Sequence, residues 1–151
     1  MTVLDDFFPY RLAATAEAFS RNLVDVYGRQ HGLTREEWRL LFLLAGGNSV
    51  TSLELTRKTT LDKVQVSRAS QRLEDKGLIT RQVAPEDRRL RLYTSTDAGT
   101  ALFNAILPEV QARANQILTS MSDTDLSALQ QGLSALENAI AEQGENALPD
   151  N

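Results

Sequence analysis

Asp62-Lys-Val-Gln-Val-Ser-Arg68-Ala-Ser-Gln-Arg72-Leu-Glu-Asp-Lys-Gly77-Leu-Ile-Thr-Arg81-Gln-Val83 changes its rhythm once, at the glycine. Before Gly77 the apolar or small positions Val66, Ala69 or Ser70, and Leu73 recur at helical spacing. Asp62 can cap that helix, and Gln65 stands at the position that answers a cap. The outward positions Gln65, Arg68 and Arg72 are long and polar. Gly77 is a natural left-handed stop. After it the period becomes two: Ile79–Val83 and Leu90–Thr94 read as strands. The segment between them, Ala84-Pro-Glu-Asp-Arg-Arg89, holds Pro85 and Asp87 as turn formers, which predicts a hairpin with a charged tip.

Upstream, Thr51-Ser-Leu-Glu54 is a second capping box and opens a short helix to about Arg57. Thr59, Thr60 and Leu61 make a tight connection to Asp62. Two short helices joined by a tight turn, the second polar outside, form a helix-turn-helix, and a hairpin directly after it is a wing. A third capping box, Thr34-Arg-Glu-Glu37, opens a helix through Trp38 and Leu41 to about Leu44, which Gly46-Gly47-Asn48-Ser49 breaks.

The flanks are helical. Over residues 5–30, Phe8, Leu12, Phe19, Leu23 and Val26 or Tyr27 form a stripe with Ala16 in the gap; Pro9 suits the start, and Gly28 and Gly32 the end. Leu102, Ile106, Val110, Ala114 and Ile117 form another, with Pro108 expected to kink it. Ser122-Asp-Thr-Asp125 caps a last helix whose Leu126, Leu129, Leu133, Leu136 and Ile140 make a heptad-like seam. The expected class is mainly α with a small β-hairpin wing (α+β). A winged helix-turn-helix core over 34–96 is flanked by an N-terminal dimerisation helix (1–33) and C-terminal dimerisation helices (97–144), with a flexible tail at 145–151. The terminal stripes exceed what so small a core can cover, so these helices are expected to pack across a two-fold axis, the other arrangement being a bundle within one chain.

Charge supports a polyanionic partner. The 151-residue chain totals −4. From Arg57 to Arg91 ten basic residues face five acidic ones, a segment of +5 that leaves −9 elsewhere. A basic middle between acidic ends is the footprint of a DNA-contacting surface, a solvated charged face being the plainer reading. Hydrophobic residues at 42% suffice for a core. There is no cysteine and one histidine, His31, so neither a thiolate metal site nor a thiol switch can form. No cofactor or metal is expected, and no phosphate loop or nucleophile–His–acid set suggests an enzyme. The N-terminus lacks a signal-peptide pattern, and the longest apolar run, Leu40–Ala45, is too short for a membrane. The expected location is the cytoplasm, at the nucleoid.

These features resemble the MarR family of bacterial transcription regulators. The resemblance rests on Asp62-Lys-Val-Gln-Val-Ser-Arg68, Leu73-Glu-Asp-Lys-Gly-Leu-Ile79, Arg81, the Pro85-Glu-Asp-Arg-Arg89 tip and Thr96-Asp-Ala-Gly99. Gly32-Leu-Thr-Arg-Glu-Glu-Trp-Arg39 is similar to the family's second helix, and Leu55-Thr56 departs mildly from the usual Leu-Ala. The resemblance implies a homodimer on double-stranded DNA, with the Asp62–Lys76 helix in the major groove. Lys63, Gln65, Ser67 and Arg68 would lead; Gln can read adenine and Arg guanine. Lys63, Ser67 and Arg72 could equally hold phosphates, while Arg68 and Arg72 have Glu74 or Asp75 as alternative partners. In the wing, Asp87 would brace an arginine while Arg89 enters the minor groove; Arg88 and Arg91 would contact phosphate or brace the hairpin. The family also implies a small aromatic acid as effector, lined by Tyr10, Arg11, Trp38 and Arg39, with His31 a further candidate. In the competing reading Trp38 and Tyr10 are core and Arg11 pairs with an acidic neighbour. A protein-interaction module that keeps the winged fold without reading DNA is the alternative function.

Overall fold

The computed structural model describes residues 6–146. Capping chemistry sets the helix starts. Helix α1 (Phe8–Val24) begins with Pro9 in its first turn and runs into a π-helical turn at Asp25–Arg29. That wider turn places Val26 and Tyr27 both inside, where a regular helix would favour one. Helix α2 (Arg35–Leu44) starts at Thr34, whose hydroxyl accepts from the Glu37 amide at 3.2 Å. The expected box does not close, because the Glu37 carboxylate takes the Thr34 hydroxyl and turns into the core.

Strand β1 (Val50–Thr51) leads directly into α3 (Ser52–Lys58), capped by Thr51. Helix α4 (Lys63–Asp75) has a complete capping box: Asp62 accepts from the Gln65 amide at 2.8 Å, and Gln65 Oε1 accepts from the Asp62 amide at 3.0 Å. Its end is a Schellman turn. Gly77 sits at φ 73°, with Leu78 N–H donating to Leu73 and Gly77 N–H to Glu74. Strands β2 (Ile79–Val83) and β3 (Arg91–Ser95) follow, then α5 (Asp97–Leu118), unbroken through Pro108, and α6 (Asp123–Asn146).

The sheet is antiparallel in the order β1-β3-β2, with Val50 opposite Tyr93 and Ile79 opposite Ser95. A two-stranded hairpin was the expectation. The third strand is only two residues long, too short to show alternation, and its threonine is also a helix cap. The chain divides into two units, Met1–Arg113 and Ala114–Asn151. In the first, Leu40, Leu41 and Leu44 of α2 meet Leu55, Val66, Ala69, Leu73, Ile79, Tyr93 and Ile106 in one buried cluster. Each fully buried leucine or isoleucine contributes about 1.5–3 kcal/mol.

Thr96-Asp-Ala-Gly99 ties α5 to the turn after α4. The Thr96 hydroxyl donates to the Gly77 carbonyl at 2.7 Å, and its amide donates to Leu78 O at 3.0 Å. A Cβ on Gly99 would overlap the Leu78 carbonyl oxygen, so only glycine allows this approach. In the second unit, Leu129 and Leu133 of α6 are about half exposed, at 49% and 48%, and Ile140 more so. The expected tail at 145–151 is partly helix, since α6 reaches Asn146; residues 147–151 lie outside the described residues. Among the described residues no helix is long and apolar enough to cross a membrane.

Candidate nucleic-acid interface

The α4 box and the α4 end place the N-terminal half of that helix beside the wing. Between them opens a cleft of about 640 Å³. Its walls carry Lys63 and Ser67 from α4, Arg81 from β2, and Arg88, Arg89 and Arg91 from the wing. Among the described residues no carboxylate lines it. Five cations around one cleft, in a chain of net −4, are poised to hold a polyanion. Gln65 and Arg68 are exposed on α4 beside it.

Two of these cations are braced by acidic neighbours, Arg81 by Glu74 and Arg89 by Asp87. Arg81 donates from Nε to Glu74 at 3.0 Å and from its terminal nitrogen to Gln71 at 2.7 Å, pinning β2 to α4. Gln71 in turn donates to Asp75 at 2.9 Å. Glu74 and Asp75 are therefore occupied by neighbours other than Arg68 and Arg72, the partners considered from sequence. Among the described residues Arg68 makes no ion pair. Arg72 instead reaches Glu37 on α2 at 3.0 Å, and Lys76 reaches the other Glu37 oxygen at 2.7 Å. Glu37 is 1% exposed. A buried carboxylate held by two cations of one helix fixes how α4 sits on α2. Sequence reasoning missed this role because Glu37 occupies a position that a capping box explains equally well.

At the wing tip Asp87 accepts three hydrogen bonds from Arg89: the amide at 3.0 Å, Nε at 3.1 Å and a terminal nitrogen at 3.0 Å. The arginine braced by Asp87 and the one expected in the minor groove are thus the same residue. The Arg89 side chain, and then its amide, hold the Asp87 carboxyl below its usual range, and the same pairing raises the Arg89 guanidinium. Arg89 is 88% exposed even so. The turn is closed by Leu90 N–H to Asp87 O and Ala84 N–H to Leu90 O, both at 3.0 Å.

The residues expected around an effector separate. Trp38 and Arg39 line a second cavity of about 280 Å³ together with Phe42, Leu43, Lys58 and Thr60. Arg39 donates to Thr60 at 2.7 Å. Burial, and then the charge of Arg35, lower the Arg39 pKa. Trp38 is stacked between Tyr27 and Phe103, with centroids at 5.4 and 5.3 Å, so its faces are taken and stacking on a ligand ring is not open to it. Tyr10 and Arg11 are exposed on α1, and His31 faces Glu109 at 3.1 Å; none of the three lines the cavity. Lys58 was not anticipated, since its place at a helix end already accounted for its charge.

A family model described as the MarR family matches residues 31–90. The uncharacterized HTH-type transcriptional regulator YdgJ of Bacillus subtilis is 28% identical over 109 residues, 72% of this chain and 66% of that protein. The homoprotocatechuate degradative operon repressor of Escherichia coli is 26% identical over 89 residues, 59% of this chain and 60% of its own. The matches thus span about 60 to 66% of these relatives' length. A probable transcriptional regulator from Pseudomonas aeruginosa superposes with a TM-score of 0.75 at 27% identity, covering 88% of this chain and 98% of that one. A cysteine-to-serine mutant of MarR from E. coli, solved with operator DNA, shares the fold at a TM-score of 0.77 and 20% identity, over 90% of this chain and 99% of the other. With the cationic cleft between α4 and the wing, these likenesses make the chain similar to MarR-family transcription regulators and give it their winged-helix fold.

Proposed function

We propose that the protein is a sequence-specific repressor that binds a pseudo-palindromic operator as a homodimer and lets go when a small aromatic acid binds. The observation that carries the reading is the cleft lined by Lys63, Arg81, Arg88, Arg89 and Arg91, with no carboxylate among its described lining. In this scheme α4 enters the major groove. Lys63 and Ser67 hold phosphates, Gln65 and Arg68 face base edges, and the wing arginines follow the backbone into the minor groove. Arg72 is drawn toward Glu37 and serves mainly to seat the helix. The exposed leucine row of α6 favours a second copy of the chain as its cover. Two half-sites about 34 Å apart would then be read by one dimer. The site of action is the cytoplasm, at the nucleoid.

For the effector, the cavity at Arg39 is of a size for one ring, and Arg39 and Lys58 supply charge for a carboxylate. An anion there would relieve the electrostatic cost at Arg39. The link to DNA is short. Glu37, Trp38 and Arg39 are consecutive on α2, so a shift that seats a ligand on Arg39 moves the carboxylate holding Arg72 and Lys76. The ligand then favours a spacing of recognition helices that no longer fits both half-sites.

Selection from a random duplex library, alone and with a panel of aromatic acids, tests the reading. An inverted repeat that is enriched, and lost with one acid, is the expected result. Weak salt-sensitive binding without any enriched sequence would point instead to a winged-helix protein-interaction module.

A further inference from the structure

Helix α4 carries one apolar residue where its fold has no use for one. The inward stripe is Val66, Ala69, Ser70 and Leu73. At 3.6 residues per turn the opposite line is Val64, Arg68, Gln71 and Asp75. The last two are engaged, Gln71 with Asp75 and Arg81. Val64 and Arg68, one turn apart, are left as the outward pair. Val64 is 57% exposed among Lys63, Gln65, Ser67 and Arg68. A β-branched residue in a helix lowers helix propensity, and here it stays more than half exposed. The neighbouring Gln65 has one lone pair of its carbonyl oxygen committed to the Asp62 amide.

We propose that Val64 is a specificity-determining residue that packs on the C5-methyl group of a thymine in each half-site. The thymine methyl is the apolar feature of the major-groove edge, and an exposed valine beside an arginine fits a thymine near a guanine. Four residues of helix rise about 6 Å, and base pairs are spaced about 3.4 Å, which sets the two bases about two steps apart. This inference rests on α4 being the major-groove element of the proposed repressor.

The test uses the full chain and the duplex obtained by selection. Each thymine is replaced in turn by deoxyuridine, which removes only the methyl group, and binding is measured for the wild type and for Val64→Ala. At one thymine per half-site the wild type should lose about fourfold, the value of one buried methyl, and about sixteenfold when both half-sites are changed. Val64→Ala, which changes both half-site contacts of the homodimer at once, should bind the unmodified duplex about sixteenfold more weakly and be indifferent to deoxyuridine at that position. Equal deoxyuridine losses in wild type and variant at every thymine would overturn the assignment while leaving sequence-specific binding intact. A wild type that selects no sequence would overturn it together with the repressor reading. Alanine is the better helix former, so the variant should melt no lower than the wild type.

Discussion

Replacing Glu37 by glutamine removes the charge that joins α2 to α4 while keeping the volume. The carboxylate is 1% exposed and takes Arg72 at 3.0 Å, Lys76 at 2.7 Å and the Thr34 hydroxyl at 3.3 Å. Hydrogen bonds to charged groups contribute about 1.5–3 kcal/mol each, and two are weakened or lost. Two effects offset part of that. The Arg72 and Lys76 side chains are 44% and 41% exposed, so both rehydrate, and the cost of burying an anion disappears. A net loss of about 2 kcal/mol is expected, which lowers Tm by about 4–8 °C for a chain of this length. Lys76→Ala leaves the buried carboxylate with Arg72 as its one cation and should cost about 1–2 kcal/mol. The double variant should cost little more than Glu37→Gln, because groups in contact are not additive. Thermal melts of the four proteins, with operator affinity alongside, decide it. Fully additive losses, or a Glu37→Gln protein that melts and binds like wild type, would refute the anchor.

Gly99→Ala and Gly132→Ala make the same chemical change with opposite signs. At Gly99 the new methyl overlaps Leu78 O, which cannot retreat without breaking its hydrogen bond from the Thr96 amide, so a loss of about 3 kcal/mol or more is expected. At Gly132 nothing lies within 4 Å, and alanine should gain about 0.5–1 kcal/mol; melts giving both variants the same sign would contradict this. Asp87 should titrate by NMR below the usual carboxylate range. Its folded pKa is depressed, so its contribution to wing order is present at neutral pH and disappears as pH falls through the lowered value. Duplex DNA that draws Arg89 away should move that titration back up, and an Asp87 unmoved by DNA would mean the pair stays closed in the complex. Arg68→Ala should relax base preference at one position per half-site by about 1–3 kcal/mol, whereas Arg89→Ala should weaken binding to all duplexes and lower the salt slope by about 1 per protomer. Equal losses for Arg68→Ala on operator and random DNA would remove its base-reading role.

What could be read from sequence was what local physics satisfies. The Asp62–Gln65 box, the Gly77 stop and the strand period after it depend on residues within a few positions, and each stands in the structure where expected. Partners chosen across the chain were not legible. Arg72 lies within reach of Asp75 along its own helix yet pairs with Glu37, 35 residues away, because that carboxylate is buried and must be neutralised while surface acids need not be. The same preference explains Trp38. The family resemblance implied a ligand-lining role for it against a competing reading as core, and stacking between Tyr27 and Phe103 places it in the core. β1 escaped because two residues carry no period.

Positions that serve two ends are where sequence reading is weakest, and α4 has several. Gln65 was read both as the answering half of a cap and as a reader of adenine. In the free protein its carbonyl oxygen caps, while its amide nitrogen remains available to donate. A bidentate adenine contact needs that oxygen as acceptor, so it must share its second lone pair or release the Asp62 amide. Arg89 has the same structure of commitments: the carboxylate that positions it also competes with the phosphate or base edge it would serve. Val64 and Arg68 have no such prior engagement among the described residues. In the proposed complex, discrimination that carries no cost of breaking an internal bond would fall to this pair, and the capped and braced residues would act chiefly to hold it at the right height in the groove.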